Sequence, residues 1–157
     1  MTLDDLTVNF DHLEGRSLLE DWEWLVGSNK QPILLAAIGD AFVQDATSGF
    51  VYVLDVAAGA LSLVAESFEE FQSLLKDKIF VVDYFAVQMV GDLSLSGCVL
   101  EAGQIYSFKQ PPILGGAYSL SNVEPTDIEV HFSISGQVHK QIAALPPGTD
   151  ISGVSVK

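Results

Sequence analysis

Basic residues are scarce in this 157-residue chain: seven lysines and arginines stand against 21 aspartates and glutamates. The formal net charge is −14, with a pI near 4.2. Such a field repels nucleic-acid phosphates and anionic lipid surfaces and attracts basic partners, which argues against direct nucleic-acid or membrane binding. Cysteine is nearly absent. Cys98 alone excludes an intramolecular disulfide and a two-thiol metal site. Set between Gly97 and Val99-Leu100, with no basic neighbour to lower its pKa, it reads as a buried small hydrophobe and not as a nucleophile. No apolar run reaches membrane-spanning length. Val51 to Ala65 comes nearest but carries Asp55, Gly59 and Ser62. The acidic opening MTLDDLTVNFDHLEG lacks the basic start and apolar stretch of a signal peptide, so a cytoplasmic location is expected.

Catalytic signatures are missing as well. Gly115-Gly116 follows two prolines and has no companion lysine, so it serves backbone geometry and not phosphate binding. There is no Gly-x-Gly-x-x-Gly and no Gly-x-Ser-x-Gly. The acidic pairs Asp4-Asp5 and Glu69-Glu70 sit in terminal or helix-capping positions, where a solvated acidic face is the simpler reading than a catalytic pair. His131 and His139 lie eight residues apart, about 80° around a helix, and no His-Glu-x-x-His spacing occurs. Asp127, Glu129, His131 and His139 could ligate a metal, but surface or interface histidines are the simpler reading. The chain is expected to be non-catalytic and to carry no cofactor and no metal.

What is present is a folded chain with 48% hydrophobic and 18% charged residues. Ser17 and Glu20 form a capping box, and Leu18, Leu19, Trp22, Leu25 and Val26 follow at helical spacing until Gly27. This predicts one helix docked on a sheet. From Pro32 the pattern turns to strand: Ile33–Ile38, Ala41–Asp45, Phe50–Asp55 and Leu61–Val64, separated by short Gly-containing turns, predict an antiparallel meander. Ser67 with Glu70 caps a second helix whose inner face is Phe68, Phe71, Leu74 and Leu75, with Lys76 and Lys78 at its favourable end. Ile79–Val90 is long enough to favour one buried helix. Leu100–Phe108 crosses a turn at Gly103, and Pro111–Gly116 is a constrained loop. Asn122–Thr126 reads as a connection into a last helix over Asp127–Leu145. There the alternation of Ile128, Val130, Phe132 and Ile134 speaks for a strand, and Val138, Ile142 and Leu145 for a helix. Pro146-Pro147-Gly148 stops it, and Ile151–Val156 alternates as a terminal strand. No linker or repeat divides the chain, so residues 1–157 are expected to form one domain.

Three stretches resemble a known family. They are Gly39-Asp40-Ala41-Phe42 with the following Val-Tyr-Val-Leu-Asp strand; Pro111-Pro112-Ile113-Leu114-Gly115-Gly116-Ala117-Tyr118 with Asn122; and His131-Phe132-Ser133-Ile134 running through Gly136-Gln137-Val138-His139 to Leu145-Pro146-Pro147-Gly148-Thr149. Over roughly residues 33 to 151 they are similar to the C-terminal domain of bacterial type VI secretion immunity proteins. That domain is often found beside a glutamate-decarboxylase-like region, and the group looks related to the SUKH superfamily. The resemblance implies an α+β fold, SUKH-like, with a central, mostly antiparallel sheet and flanking helices. It also implies an antitoxin that neutralises a cognate toxin, often a nuclease, by direct binding, and it brings no catalytic residues. This chain has only about 30 residues ahead of the shared region.

On that reading the acidic N-terminal residues Asp4, Asp5, Asp11, Glu14, Glu20, Asp21 and Glu23, opposed only by Arg16, form the electrostatic contact with a basic toxin. The competing expectation is a ligand- or metal-binding pocket, or an enzyme site, near the 111–116 loop, His131 and His139. Homodimerisation through an exposed sheet edge is compatible with the pattern.

Overall fold

The alternating apolar residues after Lys30 pair as expected. In the computed structural model, which describes residues 1–13 and 17–148, five strands form one antiparallel sheet in chain order: β1 (Thr7–Val8), β2 (Lys30–Ala36), β3 (Ala41–Asp45), β4 (Val51–Asp55) and β5 (Ala60–Ala65). Tight turns set the register. Asp45 closes the β3–β4 turn by accepting from the backbone N–H groups of Thr47 (2.8 Å) and Ser48 (2.9 Å). β2 begins before Pro32, earlier than the sequence pattern suggests, and its pairing with β3 shifts between Pro32 and Leu34. Such an irregularity is where a residue without an N–H fits a ladder.

The helices are α1 (Glu23–Val26), α2 (Phe68–Leu74), α3 (Lys78–Phe85), α4 (Val87–Leu95) and α5 (Ile128–Ala143). A second, two-stranded sheet joins β6 (Gln104–Phe108) to β7 (Val123–Asp127). The five-stranded sheet is covered on both faces. Ala36, Phe42, Val51 and Val53 pack with Phe71, Phe80, Phe85 and Leu93 of α2–α4. Leu35, Ala41, Val43 and Leu54 pack with Trp22, Val26, Ile128 and Phe132 of the N-terminal turn and α5. The period of two along each strand supplies both cores, which yields the α+β class with an antiparallel sheet and flanking helices.

Five local expectations change. The Ser17–Gly27 helix is a 3-10 turn at Glu20–Trp22 followed by a single helical turn, and no side chain caps it. Packing decides there: Trp22 is fully buried, and Trp22 and Trp24 donate their indole N–H groups to α5, at Ser135 Oγ (3.2 Å) and the Gly136 carbonyl (3.3 Å). The Ile79–Val90 helix is two helices, broken where Ala86 takes a left-handed conformation (φ 48°). It is not buried all round, since Ile79 is 73% and Val82 53% exposed. Lys78 opens α3 instead of closing α2, whose capping interaction does form, with Ser67 Oγ accepting from Glu70 N at 3.0 Å. Asn122–Thr126 is not a plain connection, because residues from Val123 onward build β7. The fifth is Cys98, half-buried rather than buried, whose carbonyl accepts the hydroxyl of buried Tyr106. The strand expected at Ile151–Val156 lies outside the described residues. Among the described residues no helix is long and apolar enough to cross a membrane.

Candidate functional site

The conflicting periodicity of residues 128–145 resolves as a helix. Asp127 caps α5 by accepting from Val130 N at 3.1 Å, and Ile128, His131, Phe132, Gly136, Val138 and His139 form its buried face. An 80° offset keeps both histidines inside one apolar stripe of at least about 100°. The histidines expected at the surface or an interface are therefore buried, His131 at 5% and His139 at 6% exposure.

His131 is held from two sides. Its Nε2 lies 2.8 Å from the Gly39 carbonyl and its Nδ1 2.8 Å from Ser107 Oγ. A carbonyl only accepts, so the proton sits on Nε2 and the Ser107 hydroxyl donates to Nδ1. Burial drives the pKa down to about 4, against the opposing pull of the Gly39 carbonyl. Gly39 is required here. Its φ is 111°, and a Cβ would lie 2.9 Å from the imidazole and 2.9 Å from the Tyr106 carbonyl.

His139 packs at 5.3 Å centroid distance from Trp22, and its ring occupies the space over Gly59, where a Cβ would approach Nδ1. Burial lowers its pKa, opposed by a hydrogen bond with the Val56 backbone and by Asp55. Close by, the Asp40 carboxyl accepts from Val56 N at 3.0 Å. Burial first, and then the negative charge of Asp55, push Asp40 up to about 7, although the Val56 N–H works the other way. Partial desolvation first, then the charges of Asp55 and Asp40, raise the phenol of the largely exposed Tyr118. Sequence reasoning saw Asp40 only as a turn and motif residue. The available signal was a lone carboxylate beside Gly39 at the mouth of an apolar strand.

The segment 110–118 roofs this cluster. Asn122 ties it down, accepting from Gln110 N (2.9 Å) and donating to the carbonyls of Gln110 (2.9 Å) and Ala117 (2.9 Å). Pro111, Pro112 and Phe108 enclose, with both histidines and Ser107, a cavity of about 40 Å³. The three motifs, far apart in sequence, thus meet in one place. That volume accommodates ordered water and is far below the several hundred Å³ of small-molecule sites. Asp127 and Glu129 are exposed while the histidines are buried, and among the described residues no group of three His, Cys, Asp or Glu is placed to hold a metal ion.

The six described members of the acidic set border three separate clefts. Asp4 and Asp5 border one cleft, Asp11 and Glu23 another, and Glu20, Asp21 and Glu23 a third beside α5, where Asp21 accepts from Ser133 Oγ at 2.7 Å. Asp4, Asp5, Asp11, Glu20 and Glu23 are exposed, Asp21 is half-buried, and Glu14 lies outside the described residues.

Residues 65–139, somewhat under half of the chain, match the family described as T6SS immunity protein Tdi1, C-terminal. The family is one of type VI secretion immunity. The matched stretch runs from the end of β5 through α5 to His139 and so contains the 111–122 motif and both histidines, whereas the Gly39–Asp55 motif precedes it. No curated protein matches the chain. Among solved structures, the crystal structure of Atu4351 from Agrobacterium tumefaciens is similar, with a TM-score of 0.53 at 18% identity. The likeness covers 76% of this chain but only 62% of that one, and it supports the fold alone.

Proposed function

We propose that this chain is a non-catalytic immunity protein that neutralises a cognate secreted toxin, a basic nuclease effector, by direct binding in the cytoplasm. The observation that carries the reading is the match of residues 65–139 to the Tdi1 C-terminal family. The charge of −14 supports it, since an acidic field speeds capture of a cationic enzyme. On this reading residues 1–157 act as one domain, and no cofactor takes part. The exposed carboxylates Asp4, Asp5, Asp11, Glu20 and Glu23, together with Asp21 and Glu14, steer the encounter.

The test is co-expression with a cognate toxin, sought in the neighbouring genes, read by growth rescue and co-purification. Rescue with a stoichiometric complex is the expected result. Charge reversal at Glu20 and Glu23 should slow association by about tenfold at low salt, and less at high salt. Toxicity that persists without any complex would end the proposal.

A further inference from the structure

A cleft of about 810 Å³ lies between residues 1–12 and the segment that leads into β6. It takes no part in the histidine cluster. Val8, Val90 and Leu100 line its apolar part, and Val99, 62% exposed, stands at its mouth. Asp4, Asp5 and Glu101 supply three carboxylates from two regions nearly a hundred positions apart. Among the described residues no lysine or arginine lines it; His12 and Met1, which bears the N-terminal ammonium, are its sources of positive charge against the three carboxylates. Thr7, Val8 and Asn9 also border the cleft, and among the described residues β1 is an edge strand with a hydrogen-bonded neighbour on one side only. Unpaired strand edges accept extended chains.

We infer that this cleft receives an extended, basic segment of the toxin, with lysine or arginine side chains on Asp4, Asp5 and Glu101 and an aliphatic side chain against Val99 and Leu100. The inference rests on the toxin-binding reading above and adds where the toxin sits and what chemistry it presents. Charge decides between occupants. A second copy of this chain would bring another −14 to a carboxylate-rimmed cleft, whereas a cationic segment neutralises it. Val99 and Glu101 were not among the sequence-derived contact residues, because nothing local sets them apart from an ordinary loop.

The experiment measures binding of the full chain to the purified toxin by surface plasmon resonance at low and high salt. One variant combines Asp4→Lys with Glu101→Lys, a second is Val99→Asp, and a control combines Glu69→Lys with Glu70→Lys on α2. All five positions are exposed, and melting curves check that each variant folds. Both cleft variants should bind at least about tenfold more weakly, the charge reversal losing most of its effect at high salt, with the control within about twofold of wild type. Cleft variants that bind like wild type would overturn the inference and leave the toxin-binding reading intact. A wild-type chain that binds no toxin would instead remove that reading, and the inference with it. Concentration-dependent dimerisation abolished by the same variants would assign the cleft to a second copy and overturn it too.

Discussion

The Nε2–H of His131 donates to the carbonyl of Gly39 across 2.8 Å, tying the last helix to the β2–β3 turn 92 positions earlier in the chain. Nothing larger than glycine fits opposite that ring. Gly39→Ala would combine a strained φ with a Cβ at 2.9 Å from the Tyr106 carbonyl, a backbone atom that cannot swing aside. We expect a loss of about 2–3 kcal/mol in stability, read as a lower urea midpoint. A loss below about 0.5 kcal/mol would show that the turn relaxes freely.

Protonation at the cluster follows two opposing slopes. His131, held down to about 4 from 6.5, leaves the folded chain with fewer protons than the unfolded one, so its contribution to stability is lost as pH falls from 6.5 towards 4. Asp40, raised to about 7 from 3.8, holds a proton that the unfolded chain has released, so its contribution is lost as pH rises through that interval. The two nearly cancel in the wild type. Asp40→Asn keeps an acceptor for Val56 N and removes one slope. Relative to wild type, its stability should then climb by about 1 kcal/mol per pH unit between about pH 5 and 6. Parallel stability curves for the two proteins would refute the assignment.

Asn122 holds the 110–118 segment with three hydrogen bonds. Asn122→Ala should destabilise the chain by roughly 1–3 kcal/mol and speed amide exchange at Gln110, which loses its acceptor. Asn122→Asp keeps that acceptor but sets a carboxylate oxygen against the carbonyls of Gln110 and Ala117, so it should protect the Gln110 amide while destabilising at least as much as alanine. Unchanged exchange in the alanine variant would mean that the prolines alone shape the roof.

The break between α3 and α4 depends on Ala86 at φ 48°. A left-handed alanine is strained and a glycine is not, so Ala86→Gly should stabilise by roughly 0.5–1 kcal/mol. Thermal melting settles the sign. A destabilised variant would show that the methyl group's packing outweighs the strain.

The meander was legible in the sequence because Phe42, Val43, Val51, Val53 and Leu54 alternate between punctuated turns, and a strand's period is local information. The Ser67 cap was legible for the same reason. Elsewhere distant partners decided. The Ser17–Glu20 capping pattern gives way because Trp22 and Trp24 take hydrogen bonds on α5, more than a hundred residues away. β7 escaped notice because a five-residue strand containing Pro125 looks like a connection, and only Gln104–Phe108 completes it. The three motifs were readable one at a time. Their convergence on His131, His139 and Asp40 was not, since burial of a titratable group depends on what folds over it.

Phe42 and Val43 are neighbours in β3, yet one faces the α2–α4 layer and the other faces α5. The middle of the sheet therefore has no spare face to offer a partner. Any partner is left with the periphery: strand edges, connecting turns and the outer sides of helices. Those positions can change residue by residue without disturbing either core, so the outer surface can diverge while the interior stays constant.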